Sequence, residues 1–395
     1  GGGATGGGAA GGDPLGGGGG EAGGGTAVDA GDAGGGHVAD AGLIEVFVAI
    51  GKQQRRAISC DDGRTWVNDV AVDDGWAPEL RYRCWGTLTL PDGGSQNTDC
   101  DHNAYSTTSL LFAGGVFVHT MGWGAPGTIF RSANGVDWQQ VDMGANATDV
   151  MYDDGRFLLA TRSARRSDDG ALTWQSHGSI PVTGSGGATI YNVRGGVAGG
   201  GVYLVSAQDG ANLDYLFSED RGETWERPQL DGGGRLDGCG ATHPAYGAGV
   251  FVTARGASGN TIVCRSGDGA RTWTQTELSG NTESRLLWTG TEFIFWSPGQ
   301  VHRSPDGLTW SAQATQTRRP DGGVGGGPNI GAAAVSPSGT FVGVRGGWNV
   351  WYEDQRFYRS LDGVLWDELP ADAFRHSHPV TMISSGTVER SAVCP

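Results

Sequence analysis

Cations and aromatic side chains recur at one kind of position in this chain. Arg162, Arg255 and Arg345 each fall just after a short apolar run, and Lys52 does the same near the start. Cations converging from separate runs suit a carboxylate or sulfate, because a guanidinium presents paired donors to an oxyanion. Trp123 and Trp296 occupy comparable points. The stretch from Gly346 to Asp354 sets Trp348, Trp351 and Tyr352 beside Glu353 and Asp354, a grouping that suits stacking on sugar rings or ordinary packing between loops. The richest segment is 67–109, with Trp76, Arg81, Arg83 and Trp85, then Asp101, His102 and Tyr105 between and after Cys84 and Cys100. It reads equally as a binding loop on a rigid scaffold and as a stapled lid. These residues form the candidate ligand set: Trp85, Asp101, His102, Tyr105, Trp123, Arg162, Arg255, Trp296, Arg345, Trp348 and Trp351.

Catalysis is harder to read. Glycoside hydrolysis needs two carboxylates about 5–10 Å apart. Asp101, Asp209, Asp214, Glu283, Glu353 and Asp354 are candidates, but most of them lie on separate segments and the sequence does not show which converge. His102, His243, His376 and His378 fall between repeats, and a lone His-x-His is a weak metal signal. The chain has no Gly-x-Ser-x-Gly elbow, no His-Glu-x-x-His and no phosphate loop ahead of a helix. No catalytic residue, metal or cofactor is assigned.

The elements that must carry these side chains come from a repeat. Ser-x-Asp-x-Gly-x-Thr-Trp, strict or shortened, occurs seven times, starting at Ser59, Ser132, Ser167, Ser218, Ser266, Ser304 and Ser360. Each copy follows short β-patterned runs, among them Val46–Ile50, Val116–Val118, Phe157–Ala160, Val202–Val205, Val250–Val252, Phe293–Trp296 and Phe341–Val344. Short strands bounded by Gly, Asp and Ser at even spacing imply antiparallel meanders, and nothing in this region has helical periodicity. The box itself reads as a turn. An Asp or Asn carboxyl or amide oxygen accepts nearby backbone N–H groups, Gly supplies a positive φ, and the closing Trp returns to the sheet. Seven structural hairpins explain Asp61, Asn134, Asp169, Asp220, Asp268, Asp306 and Asp362 better than seven copies of one chemistry.

This pattern resembles the Asp-box, or bacterial neuraminidase repeat, over roughly residues 43–395. The resemblance implies a β-propeller with each box between the third and fourth strands of a blade. It spans sialidases, other glycosidases, sortilin-type receptors and photosystem II assembly factors, so it implies a fold and no activity. The spread of Arg162, Arg255 and Arg345 is similar to the sialidase arginine triad. However, the sialidase Arg-Ile-Pro sequence is absent, and the segment before the first box reads Lys52-Gln-Gln-Arg-Arg-Ala-Ile58.

The boxes are spaced by 73, 35, 51, 48, 38 and 56 residues, about one four-stranded blade each. The 35 residues after Ser360 and the 16 from Leu43 to Ser59 together make one further period. We therefore expect an all-β, seven-bladed propeller of four-stranded antiparallel blades. Its C-terminal strand at 379–384 should lie innermost in the first blade, with 44–50 and 55–59 supplying the next two strands. The 73-residue step is the place where an eighth, degenerate blade would hide.

Composition bounds the setting. Twenty of the first 36 residues are Gly, so 1–42 reads as a disordered linker and 43–395 as the propeller domain. The abrupt start at Gly1 suggests a mature form, with a Gly-rich arm like those after the lipidated cysteine of a bacterial lipoprotein. A lipid tether ahead of Gly1, or self-assembly through 1–36, are the uses this arm offers. The six cysteines lack Cys-x-x-Cys spacing and favour disulfides over zinc, with Cys84–Cys100, Cys239–Cys264 and Cys60–Cys394 preferred by topology. Disulfides place the chain outside the cytoplasm or at the cell surface. The net charge of −16 disfavours nucleic acid and anionic membranes, and no transmembrane run is present. The resulting expectation is a secreted or surface-tethered binding module for an extracellular glycan or protein. An extracellular glycoside hydrolase or lyase, or an assembly protein, are the alternatives.

Overall fold

Seven apolar runs bounded by turn residues become the second strands of seven antiparallel sheets. In the computed structural model, these sheets form a seven-bladed β-propeller. The structure describes residues 42–395 except 72–85, 90–94, 99–105, 123–127, 144–148, 162–163, 179, 181–191, 210–211, 232–235, 237–238, 240–242, 283, 347–355, 376–378, 392–393 and 395. No α-helix occurs among the described residues, and none of their helices is long and apolar enough to cross a membrane.

Blade 1 takes its innermost strand from the other end of the chain. Val380–Glu389 pairs antiparallel with Leu43–Gly51, which is followed outward by Arg56–Ser59 and Val67–Val70. The expected closure therefore holds, with a longer final strand than 379–384. Blade 2 runs Ser106–Ala113, Val116–Gly122, Thr128–Ser132 and Gln139–Met143. Blade 3 runs Asp149–Asp153, Arg156–Ala160, Arg165–Ser167 and Gln175–Ser176. Blade 4 has Asn192–Gly199, Val202–Asp209 and Asn212–Ser218, with a single bridge from Phe217 to Glu226 at its outer edge. Blade 5 comprises Ala245–Gly247, Val250–Ala257, Asn260–Ser266 and Thr272–Ser279. Blade 6 comprises Leu287–Trp288, Phe293–Ser297, Gln300–Ser304 and Ser311–Ala314. Blade 7 comprises Ile330–Val335, Phe341–Arg345, Phe357–Ser360 and Leu365–Glu368. The 73-residue step carries a two-stranded hairpin, Gly86–Thr89 with Ser95–Thr98, and no eighth blade among its described residues.

The blades are bound to one another by the surfaces between them. Seven apolar clusters occupy the ring, each built from two successive blades, including the closing pair of blade 7 and blade 1. Aromatic residues fill them. Trp273 stacks on Tyr215 at 5.3 Å across the interface of blades 4 and 5. Outer strands also reach forward. Gln229–Leu230, just after the blade 4 box, pairs parallel with blade 5, and Gln316–Arg318 does the same from blade 6 to blade 7. Two disulfides reinforce the ring. Cys60–Cys394 joins the first box to the C-terminal segment, and Cys239–Cys264 lies in blade 5. Cys84 and Cys100 lie outside the described residues.

All seven repeat turns follow the third strand of a blade and share the serine and main-chain bonds of one pattern. In the first, Ser59 Oγ donates to Asp61 Oδ1 and accepts from Gly63 N, while Thr65 donates its N–H and hydroxyl to the same carboxylate. Asn134, Asp169, Asp220, Asp268, Asp306 and Asp362 accept equivalent bonds. The turn apex then meets the preceding blade. A Cβ on Gly307, at φ +73, would lie 2.5 Å from Val252 Cγ2 of blade 5, so glycine serves both the backbone and the contact.

An arginine just before the box serine completes this joint. Arg131 Nε donates to Gly170 O at 2.7 Å, Arg265 Nε to Asp306 O at 2.8 Å and Arg359 Nε to Asp62 O at 2.6 Å. Arg303 reaches Asp362 O in the same way. Each arginine bonds the box of the next blade, and Arg359 bonds from the last blade back to the first.

Candidate functional site

The inner strands face the ring axis, and their register can be counted from a common mark. Each second strand carries an aromatic residue (Phe47, Phe117, Phe157, Tyr203, Phe251, Phe293 or Phe341) paired with an inner-strand residue. Three residues before that partner, the seven blades present Met382, Ser109, Asp149, Gly195, His243, Arg285 and Ala332. These seven positions form one layer of the inner surface. Four successive polar or charged side chains, interrupted only by Gly195, occupy blades 2 to 6.

Asp149 anchors the layer and is 7% exposed. Ser109 Oγ of blade 2 donates to its Oδ1, Val150 N donates to the same oxygen at 3.0 Å, and Gly196 N of blade 4 reaches Oδ2 at 3.2 Å. Blade 4 contributes no side chain here, and the next residue is also confined to glycine: a Cβ on Gly196 would stand 2.6 Å from Met151 Sδ and 3.1 Å from Leu204 O. With no side chain at Gly195, His243 of blade 5 brings Nδ1 to 3.5 Å from Asp149 Oδ2. Arg285 of blade 6 adds its charge to the same group.

Charge states follow from this packing. Burial would raise the Asp149 carboxyl, but His243, Arg285 and the Ser109 hydroxyl outweigh it and hold the group below the usual carboxylate range. Burial, then the charge of Arg285, lowers His243, and Asp149 only partly opposes this. Burial also lowers Arg285, with Asp149 partly restoring it. At neutral pH the layer therefore holds one carboxylate, one guanidinium and a neutral imidazole.

Its hydrogen bonding is unbalanced. The Asp149 oxygens have their partners, whereas buried Arg285 Nη2 and His243 Nδ1 make no hydrogen bond among the described residues. A buried polar group without a partner costs about 1–3 kcal/mol. His243 Nδ1 is turned toward Asp149 Oδ2 at 3.5 Å, so the unfilled capacity of the layer to donate is that of Arg285 Nη2. The arrangement is not a nucleophilic triad, because His243 lies against Asp149 and not between it and Ser109. No group of three His, Cys, Asp or Glu among the described residues could hold a metal ion.

One cleft away from this layer lacks its imbalance. A cleft of about 460 Å³ between blades 6 and 7 is lined by Glu292, Arg303, Leu361 and Asp362, but Arg303 is taken up by Glu292 and Asp362 O.

Most ligand candidates read from the sequence lie outside the described residues: Trp85, Asp101, His102, Tyr105, Trp123, Arg162, Trp348 and Trp351. So do Glu283, Glu353, Asp354, His376 and His378, while Asp209 and Asp214 are described only as strand backbone. Trp296 requires a correction. It is fully buried between blades 6 and 7, donates Nε1 to Gly363 O at 2.9 Å and meets Trp366 edge-on, so it is core and cannot stack on a ligand. Arg255 and Arg345 are half-buried on blades 5 and 7, and Lys52 is buried. The layer instead uses Ser109, Asp149 and Arg285, which carry no local motif, and His243, which the sequence marks only as lying between repeats. Counting inner-strand register back from the second-strand aromatic residues would have found all four.

No protein-family model and no curated protein matches this sequence. Among solved structures, the chain is similar to a putative 6-phosphogluconolactonase from Bacteroides fragilis, at 9% identity over 89% of this chain and 99% of that one, with a TM-score of 0.51. It is also similar to a functionally unknown protein from Desulfotomaculum acetoxidans, at 9% identity over 87% of this chain and 99% of that one, again with a TM-score of 0.51. At such identities the likeness shows the β-propeller fold alone.

Proposed function

We propose that this chain is an extracytoplasmic binding propeller that holds a carbohydrate, or a segment of another protein, at the mouth of its ring axis without transforming it. The observation that carries this reading is the axial layer, where Arg285 keeps an unfilled buried donor beside His243 and a fully partnered Asp149. Binding sites commonly combine a rigid scaffold with a few unsatisfied polar groups aimed at the guest. Asp149 is the only carboxylate in that layer, whereas glycoside hydrolysis needs a pair. The two disulfides fit an oxidising compartment. The seven equivalent box turns support the further proposal that the chain is a divergent member of the Asp-box propellers.

A glycan-array screen of the purified protein, with turnover assayed on every hit, tests this reading. Retained glycan without product supports it. Release of product from a hit sinks the non-catalytic part. A blank array together with no captured partner from an extracellular protein fraction sinks the reading entirely.

A further inference from the structure

The binding reading leaves the chemistry of the guest open, and the axial layer narrows it. What is missing there is an acceptor. Asp149 already receives Ser109 Oγ, Val150 N and Gly196 N, so it has little left to offer a donor. Arg285 Nη2 is buried and unpartnered, and Arg285 makes no ion pair among the described residues. His243 stands beside it in the same layer with its side chain 24% exposed, so the imidazole faces open space as well as Asp149. A guanidinium with a free donor beside an imidazole best accommodates an oxyanion.

We propose, on the strength of that binding reading, that the axial layer takes the single carboxylate or sulfate group of a small ligand, with Arg285 Nη2 as its donor and the His243 ring as its neighbour. The guest is small and singly charged for a physical reason. The chain carries a net charge of −16, which repels a polyanion over distances that one buried guanidinium does not offset. At physiological salt the long-range field is screened within about 8 Å, whereas contacts inside the site are screened much less. A lone anionic group therefore keeps its local attraction.

The experiment is a calorimetric titration with D-glucuronate, D-glucose and methyl sulfate, and with a short peptide bearing a free or an amidated C-terminus. Glucuronate or methyl sulfate should bind where glucose does not. The two peptides decide whether a main-chain carboxylate serves as well as a sugar acid. Arg285→Gln should weaken the anion roughly tenfold or more, and His243→Gln should weaken it by a smaller factor. Arg318→Gln, on the outer rim, should leave it unchanged. If neither axial variant folds, the His243 ring resonances of the unmodified protein should shift with glucuronate and stay put with glucose. Equal binding of glucose and glucuronate, anion binding insensitive to a folded Arg285→Gln, or no response to any anion would each overturn the proposal. A neutral glycan captured on the array while every anion fails would remove this inference and leave the binding reading standing. A blank array and no captured protein, together with a clear anion response, would remove the glycan-or-protein guest and keep the anion site.

Discussion

The outer rim of the ring and its axis obey opposite rules. On the rim, seven turns repeat one hydrogen-bond pattern, and four arginines bond each to the box of the next blade. The pattern recurs there even where single donors, such as the indole N–H groups of Trp66, Trp174 and Trp366, make no hydrogen bond among the described residues. At the axis, the same register carries seven different residues, from Met382 to Ala332, and buried Arg285 Nη2 goes without a partner among the described residues. Repetition marks what each blade needs in order to stand, and departure from repetition marks where the ring has been adapted. If this contrast is right, rim substitutions should lower stability and spare binding, and axial substitutions should do the converse.

The largest effect is expected from Trp273→Ala. It removes a 1% exposed indole, its 3.0 Å bond to Ala270 O and its stacking on Tyr215. A loss of about 3–5 kcal/mol should appear in the urea midpoint, with the affinity of the folded protein for its guest unchanged. Replacing Cys60 and Cys394 together by Ser should cost about 2–4 kcal/mol, the usual contribution of a native disulfide. Adding reductant to the unmodified protein should reproduce part of that loss.

His119→Phe tests the interface of blades 1 and 2. The ring is 1% exposed, stacks on Phe130 at 4.7 Å and has no partner for either nitrogen among the described residues. Burial, then the charge of Arg56, pushes its pKa down to about 3. A lowered folded value means that the unfolded chain takes up the proton first. Stability should therefore fall as pH drops from about 6.5 toward 3, by up to about 1.4 kcal/mol per pH unit. Phe should flatten that slope in melts recorded across the range.

Asp169→Ala should cost about 1 kcal/mol, because its bonds lie at an exposed turn. The Thr173 hydroxyl foremost, then the Thr173 N–H and the Ser167 hydroxyl, hold the Asp169 carboxyl down to about 2. Its contribution is therefore present above the unfolded value of about 3.9 and fades as pH falls toward 2. The smallest stability change should come from Arg285→Gln, within about 1 kcal/mol by melting temperature, although it abolishes most of the anion affinity. A severe loss of stability there would erase the distinction between rim and axis.

The same contrast explains what could be read in advance. Box spacing gave the seven blades, and counting residues at the two ends gave the closing strand, because turns and strand lengths are local properties of sequence. The axis is different. Ser109, Asp149, His243 and Arg285 share only a position, and that position emerges once inner strands are aligned on Phe117, Phe157, Phe251 and Phe293. Bulges in blades 2 and 4 hide even that count from a simple alternation pattern. Trp296 misled for a related reason. It follows a second strand as Trp123 does, yet it points between blades and takes the Gly363 carbonyl, leaving the Trp366 indole N–H without a partner among the described residues.

The pairing of Leu43–Gly51 with Val380–Glu389 has a consequence for biogenesis. Blade 1 stays incomplete until Val380–Glu389 has been made, since its second strand waits for a neighbour some 330 positions later. Blades 2 to 6 can assemble while the polypeptide is still emerging, but the ring cannot. A chain stalled or clipped ahead of Val380 would present an apolar sheet edge to its surroundings, inviting aggregation or degradation, so the closing strand acts as a built-in inspection that only molecules carrying it pass.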